Sequence, residues 1–159
     1  MNVKEFLDNQ GIDYEIILHR PSDTARAAAS ASHIPARNLA KTVMAKVDGN
    51  LCMVVVPACR RLDLAALKAA SGAHSVVLAR EDEFRDCFPG CEPGAMPPLG
   101  SLYGLPVWMD EEVACDPQIV FNAGSHSELV RMAYEDFARL VSPKVESLSE
   151  REAGLTIAA

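Results

Sequence analysis

Asp48-Gly49 separates two apolar runs rich in Val and Met, residues 41–47 and 51–56, and no other feature restricts the fold of this chain as much. Asp-Gly readily takes the positive-φ pair that a two-residue hairpin turn needs, so the flanking runs are expected to pair antiparallel. That one local pairing excludes an all-helical chain, and it is foreign to a doubly wound sheet of purely parallel strands.

Around the hairpin, short helices and strands alternate irregularly. Val3, Phe6 and Leu7 recur at helical spacing between Asn2 and Gly11, residues 14–18 read as a strand, and the alanine-rich residues 24–32 favour helix. A helical turn is expected at 35–39, a helix at 62–70 between Asp63 and Gly72, a strand at 75–78 and a short helix at 81–88. Residues 89–106 hold five prolines and four glycines in eighteen positions, which predicts a long ordered loop, and such loops are often functional. Strands at 107–109, 118–122 and 129–132 and a helix at 134–141 follow, and beyond Pro143 the apolar pattern dissolves into a surface tail or an added helical turn. The 159 residues, 49% apolar, suit one mixed α/β (α+β) domain. Its sheet is expected to be mixed and largely antiparallel, surrounded by short helices, with the domain at 1–142 and the tail at 143–159.

Composition narrows the function. The longest apolar stretch, residues 51–58, is too short to span a bilayer, and the N-terminal residues mix acids with apolar side chains, unlike a secretory signal. A cytoplasmic protein without membrane contact is expected, and its five cysteines are expected to be reduced. Net charge is −7, divided as +2 over residues 1–72 and −9 over 73–159. Such a chain is poorly suited to DNA or any long nucleic acid, whose binding rests on phosphate contacts, but a short contact with a nucleic-acid end through the first half is compatible.

No metal set is legible. Cys87 and Cys91 have ligand-like spacing without a second pair, and His19, His33, His74 and His126 stand singly, so no metal and no cofactor are expected. No nucleophile elbow, phosphate loop or dinucleotide fingerprint occurs. Three subtler features remain. Lys41 opens a strand on which alternation places it with Val43, Ala45 and Val47, with Thr42, Met44 and Lys46 on the other face; a solvated strand end is the plainer alternative. Gly94-Ala95-Met96-Pro97-Pro98-Leu99-Gly100 is a stiff loop bracketed by glycines, suited either to a pocket wall or to a structural turn. Asn122-Ala123-Gly124-Ser125-His126 ends an apolar strand and offers N–H, hydroxyl and imidazole groups, or simply a surface turn.

In this order, and with Arg61-Leu62-Asp63-Leu64 following the hairpin, these segments resemble the YbaK/prolyl-tRNA synthetase associated-domain family, the editing domains of bacterial prolyl-tRNA synthetases and their free-standing relatives. The resemblance covers about residues 1–142. It implies hydrolysis of the ester joining a wrong small amino acid (alanine, serine, threonine or cysteine) to the terminal adenosine of tRNA, with Lys41, Gly124 and His126 catalytic. It further implies that Thr42, Gly94, Ala95, Met96, Pro97, Pro98, Gly100, Asn122 and Ser125 bind the substrate. Some relatives carry Asn where this chain has Thr42, a departure that bears on alanine as substrate. The partner implied is a tRNA acceptor end, and an aminoacyl-tRNA synthetase is a further candidate.

The chemistry suits these residues. An aminoacyl ester is already activated, so its removal needs a positioned water and donors for the oxyanion rather than a metal or covalent nucleophile. Lys41 could neutralise charge, glycine-turn N–H groups could hold the carbonyl, and His126 or a ribose hydroxyl could orient water. A pocket admitting only small amino acids would be the second sieve of editing. The competing class is a non-catalytic module that binds aminoacyl-tRNA ends or small amino-acid or nucleotide ligands; a redox or metal protein built on Cys87 and Cys91 is a third.

Overall fold

The computed structural model describes residues 2–152. In chain order, helix α1 (Val3–Asn9) begins at Asn2, whose side chain accepts from the Glu5 N–H, and leads to strand β1 (Tyr14–Leu18). Helix α2 (Ala25–Ala31) is capped by the Thr24 hydroxyl, a 3₁₀ turn covers Ala36–Asn38, and the hairpin strands are β2 (Leu39–Val47) and β3 (Asn50–Pro57). Then come β4 (Arg60–Leu62), α3 (Leu64–Ser71), β5 (Val76–Leu78) and α4 (Glu81–Phe84), followed by a 3₁₀ turn at Arg85–Cys87. The chain continues through α5 (Gly100–Tyr103), β6 (Val107–Asp110), α6 (Glu111–Ala114), β7 (Gln118–Asn122) and β8 (Glu128–Ala133). It closes with α7 (Tyr134–Val141), β9 (Lys144–Glu146) and β10 (Ser149–Arg151).

The hairpin turn has φ +48° at Asp48 and +83° at Gly49, the two positive angles of a type I′ turn, and β2 pairs with β3 from Ala40↔Pro57 to Val47↔Asn50. The main sheet runs β1-β8-β7-β2-β3-β6-β9, with β5 also on β2, and is antiparallel except where β2 meets β7, β3 meets β6 and β6 meets β9. This is the mixed, largely antiparallel sheet with surrounding helices that the sequence implies.

One irregularity positions everything below. β7 and β5 lie on the same edge of β2: β7 pairs only with Leu39 and Ala40, and β5 only with Ala45 to Val47. Between them residues 41–44 have no neighbouring strand on that edge, leaving a notch in the middle of the sheet.

The sheet separates two layers of apolar packing. Ala40 and Met44 of β2 join Phe121, Met53, Met109 and Phe137 on one face. On the other, Val43, Ala45 and Val47 pack with Val54, Leu67 and Trp108, and Leu39 packs with Val120, Leu129 and Ala28. The alternation read from sequence therefore holds along β2. Cys52 of β3 belongs to the second face, 2% exposed, and burial pushes its thiol up to about 11.

Three departures have local causes. The 89–106 segment contains one regular turn, α5, which begins at Gly100 because a Cβ there would lie 2.2 Å from the Leu105 carbonyl oxygen. The single-turn helix α6 follows β6, capped by the Asp110 carboxylate accepting from the Glu112 N–H. Residues 143–152, expected as a tail or helical turn, instead form β9 on the main sheet and β10 on β4, pinned by fully buried Leu148, whose N–H donates to Asp110 Oδ1 at 2.8 Å. The rest of the expected tail, 153–159, lies outside the described residues.

Candidate active site

Lys41 lies one step beyond the last β2–β7 pair, Ala40 and Phe121, so it stands at the mouth of the notch beside Asn122. Its ammonium is 3.2 Å from Glu152 Oε1 and 3.5 Å from the Ala58 carbonyl oxygen. Two of its three N–H donors thus have acceptors among the described residues, and one is left for a ligand. Glu152 also accepts from Arg26 Nε at 2.9 Å through its other oxygen. Burial tends to raise the Glu152 pKa, but the Lys41 hydrogen bond and the charges of Lys41 and Arg26 outweigh it and hold the carboxyl below the usual range. Glu152 follows directly on β10, so the C-terminal strand delivers the counter-ion of Lys41 from 111 positions away. Thr42 points to the opposite face, while Lys46, on the face of Thr42, pairs with Glu83 of α4.

The loop and the turn beyond β7 form a second cluster. The Gly124 N–H donates to the Ala95 carbonyl at 3.0 Å, and the Glu92 N–H donates to the Gly124 carbonyl at 2.8 Å. The His126 N–H donates to Glu92 Oε2, and His126 Nε2 lies 2.7 Å from the Pro93 carbonyl oxygen. A carbonyl only accepts, so Nε2 carries the hydrogen, and in the neutral form of the ring Nδ1 is an acceptor. A Cβ on Gly94 would sit 3.5 Å from His126 Cε1, so loop and imidazole touch. Gly124 has φ +98°, a conformation that glycine takes without strain. The Ser125 and Ser127 hydroxyls are 3.4 Å apart beside this turn.

The structure therefore brings Gly94, Ala95, Gly124, Ser125 and His126 together and sets Lys41 and Asn122 side by side at the notch. It distributes other expected residues differently. Ala95, Met96, Pro97, Pro98 and Gly100 are buried, so the loop turns Gly94 outward and roots itself in the core with the rest. The N–H groups of Gly94 and Gly124 point to Met96 Sδ and the Ala95 carbonyl, whereas Lys41 keeps one N–H donor without an acceptor among the described residues. Among the described residues no group of three His, Cys, Asp or Glu side chains could hold a metal ion, and no helix is long and apolar enough to cross a membrane.

Sequence reasoning missed Glu152 and His19. A carboxylate so distant in sequence gives no local signal. His19 stood only among the scattered single histidines, yet its N–H donates to the Ser127 carbonyl and the Ser22 N–H to that of His126, so the segment after β1 is stapled to the glycine turn.

Comparison with known proteins bears on the family and the fold. The family model of the aminoacyl-tRNA editing domain matches residues 19–140. The multifunctional Ser/Thr-tRNA deacylase ProXp-y of Escherichia coli K12 is 25% identical over 150 residues, covering 87% of this chain and 86% of its own. Among solved structures, a candidate trans-editing enzyme for prolyl-tRNA synthetase superposes with a TM-score of 0.81 at 23% identity, over 93% of this chain and 94% of that one. The hypothetical protein APE2540 superposes with a TM-score of 0.82 at 21% identity, over 93% and 99%.

Proposed function

The chain belongs to the aminoacyl-tRNA editing domain family, and from that premise we propose that it is a trans-acting deacylase that clears small amino acids, serine and threonine foremost, from mischarged tRNA. The observation that carries the reading is the notch in β2, which holds a lysine with one free N–H donor beside the end of β7, the strand that leads into the glycine-histidine turn. In this reading the ester carbonyl approaches Lys41, which stabilises the developing oxyanion, and His126 Nδ1 orients the attacking water. Asn122 flanks the substrate on the face of Lys41, and Thr42, on the other face, borders the notch from behind. Gly94 and Gly124 allow close approach, Gly124 by its backbone shape rather than by donating. The buried Ala95–Gly100 stretch keeps the wall rigid, so that small amino acids enter and larger ones do not.

The editing unit is proposed to be residues 1–142, with β9 and β10 adding Glu152. It acts on the acceptor end of tRNA, with an aminoacyl-tRNA synthetase as proposed docking partner and the cytoplasm as proposed compartment. The test is multiple turnover on alanyl-, seryl-, threonyl-, cysteinyl- and prolyl-tRNA. Turnover of the seryl and threonyl esters, with prolyl spared, is expected; tRNA binding without turnover of any ester would make the protein a binding module instead.

A further inference from the structure

Two buried side-chain polar atoms lack a hydrogen-bond partner among the described residues, His19 Nε2 and Asn122 Oδ1. The Asn122 oxygen is an acceptor. His19 Nδ1 lies 2.7 Å from the Arg20 carbonyl oxygen, so Nδ1 carries the hydrogen, and in the neutral form of the ring Nε2 is an acceptor too. Asn122, 7% exposed, buries its amide oxygen unpaired at the end of β7. Buried acceptors without donors destabilise a fold, so a pair of them beside a site points to a donor that arrives with the ligand.

Both lie on the face of Lys41. Leu39, Val120, Leu129 and Ile17 pack together, and two residues further along their strands stand Lys41 after Leu39, Asn122 after Val120 and His19 after Ile17. Leu129 of β8 is opposite both Ile17 and Asn122, and the His19–Ser127 bond extends that ladder by one pair. β1, β7 and β2 run in the same direction, so Asn122 at the end of β7 is level with Lys41 at the notch, and His19, just past β1, lies on the same face one register step beyond and two strands away from Asn122.

The charge of the neighbourhood decides what the donor is. Lys41 and Arg26 outnumber Glu152 there, which disfavours the α-ammonium of an aminoacyl ester and leaves a neutral hydroxyl as the fitting group. Resting on the deacylase reading, we propose that His19 Nε2 and Asn122 Oδ1 each accept from a separate hydroxyl of the substrate and are specificity-determining residues. For each acceptor that hydroxyl belongs either to the amino-acid side chain or to the terminal ribose.

The test uses His19→Phe and Asn122→Leu, which keep volume and remove the acceptors, with His19→Ala and Asn122→Ala as a second pair should the first not fold. kcat/KM is measured on seryl-, threonyl- and alanyl-tRNA and on seryl-tRNA ending in 2′-deoxyadenosine, and Tm is followed in parallel. Loss on the order of 10²-fold on the seryl and threonyl esters, a few-fold on alanyl, and a Tm unchanged or raised, assigns the side-chain hydroxyl. Equal loss on seryl and alanyl esters that disappears with the deoxy terminus assigns the ribose hydroxyl. Folded variants with full kcat/KM on all esters, or with only a lowered Tm, overturn the proposal, since the acceptors would then serve a structural water. A wild-type protein inert on every ester overturns the deacylase reading and takes this inference with it; an active wild type with unaffected variants overturns this inference alone.

Discussion

Lys41 and Lys46 are five residues apart on one strand, and the pleat sends them to opposite faces, where each meets a different carboxylate. The separation makes them a matched pair for mutagenesis. Lys41→Ala is expected to lower deacylation by on the order of 10²-fold or more, the scale of losing one preorganised electrostatic contact. Lys46→Ala removes an ion pair with Glu83 on α4, away from the notch, and is expected to cost only a few-fold. Single-turnover rates on seryl-tRNA for the two folded variants decide the matter; a more damaging Lys46→Ala would mean that the substrate lies on the other face of β2.

At the scale of elements, the last two strands depend on a single buried carboxylate. Asp110 is 2% exposed, and its two oxygens accept from the Leu148 N–H and the Glu112 N–H, tying β10's approach and the start of α6 to the end of β6. Asp110→Ala is expected to cost roughly 2–4 kcal/mol in urea unfolding, since it strands one buried N–H and removes a helix cap. A loss below about 0.5 kcal/mol would show that the C-terminal strands are held by other contacts. What the sequence made legible follows the same division between near and far. The hairpin, α3 between Asp63 and Gly72, and α7 were readable because turn, cap and period are all local signals. β10 pairs Ser149, Glu150 and Arg151 with residues 60–62, and nothing in that polar triplet announces a strand until its distant partner is present. α5 and α6 are single turns fixed by packing and a cap rather than by periodicity. The candidate site divides likewise: Lys41, Gly94, Gly124 and His126 stood in recognisable segments, whereas Glu152 and His19 gained meaning only from neighbours that the fold supplies.

For the whole molecule, a net charge of −7 confines attraction for tRNA to a small region. Around the notch the cations are Lys41 and Arg26, both already paired with Glu152, so few phosphates can be neutralised on binding. The logarithm of the tRNA association constant is expected to fall with the logarithm of salt concentration with a slope of about −2, corresponding to roughly two or three phosphate contacts. Fluorescence anisotropy across a KCl series measures it, and a slope steeper than about −5 would require an extended RNA interface instead. The sealed thiol of Cys52, near the hairpin end of β3, has a consequence for watching this protein open. Alkylation requires thiolate and access, and Cys52, buried and with its thiol pushed up, reacts when the strands around it part, whereas exposed Cys115 needs no opening. The chain thus carries its own clock and its own internal standard: the lag between labelling at Cys115 and labelling at Cys52, read by mass for each site, times the excursions in which the hairpin strands leave their neighbours.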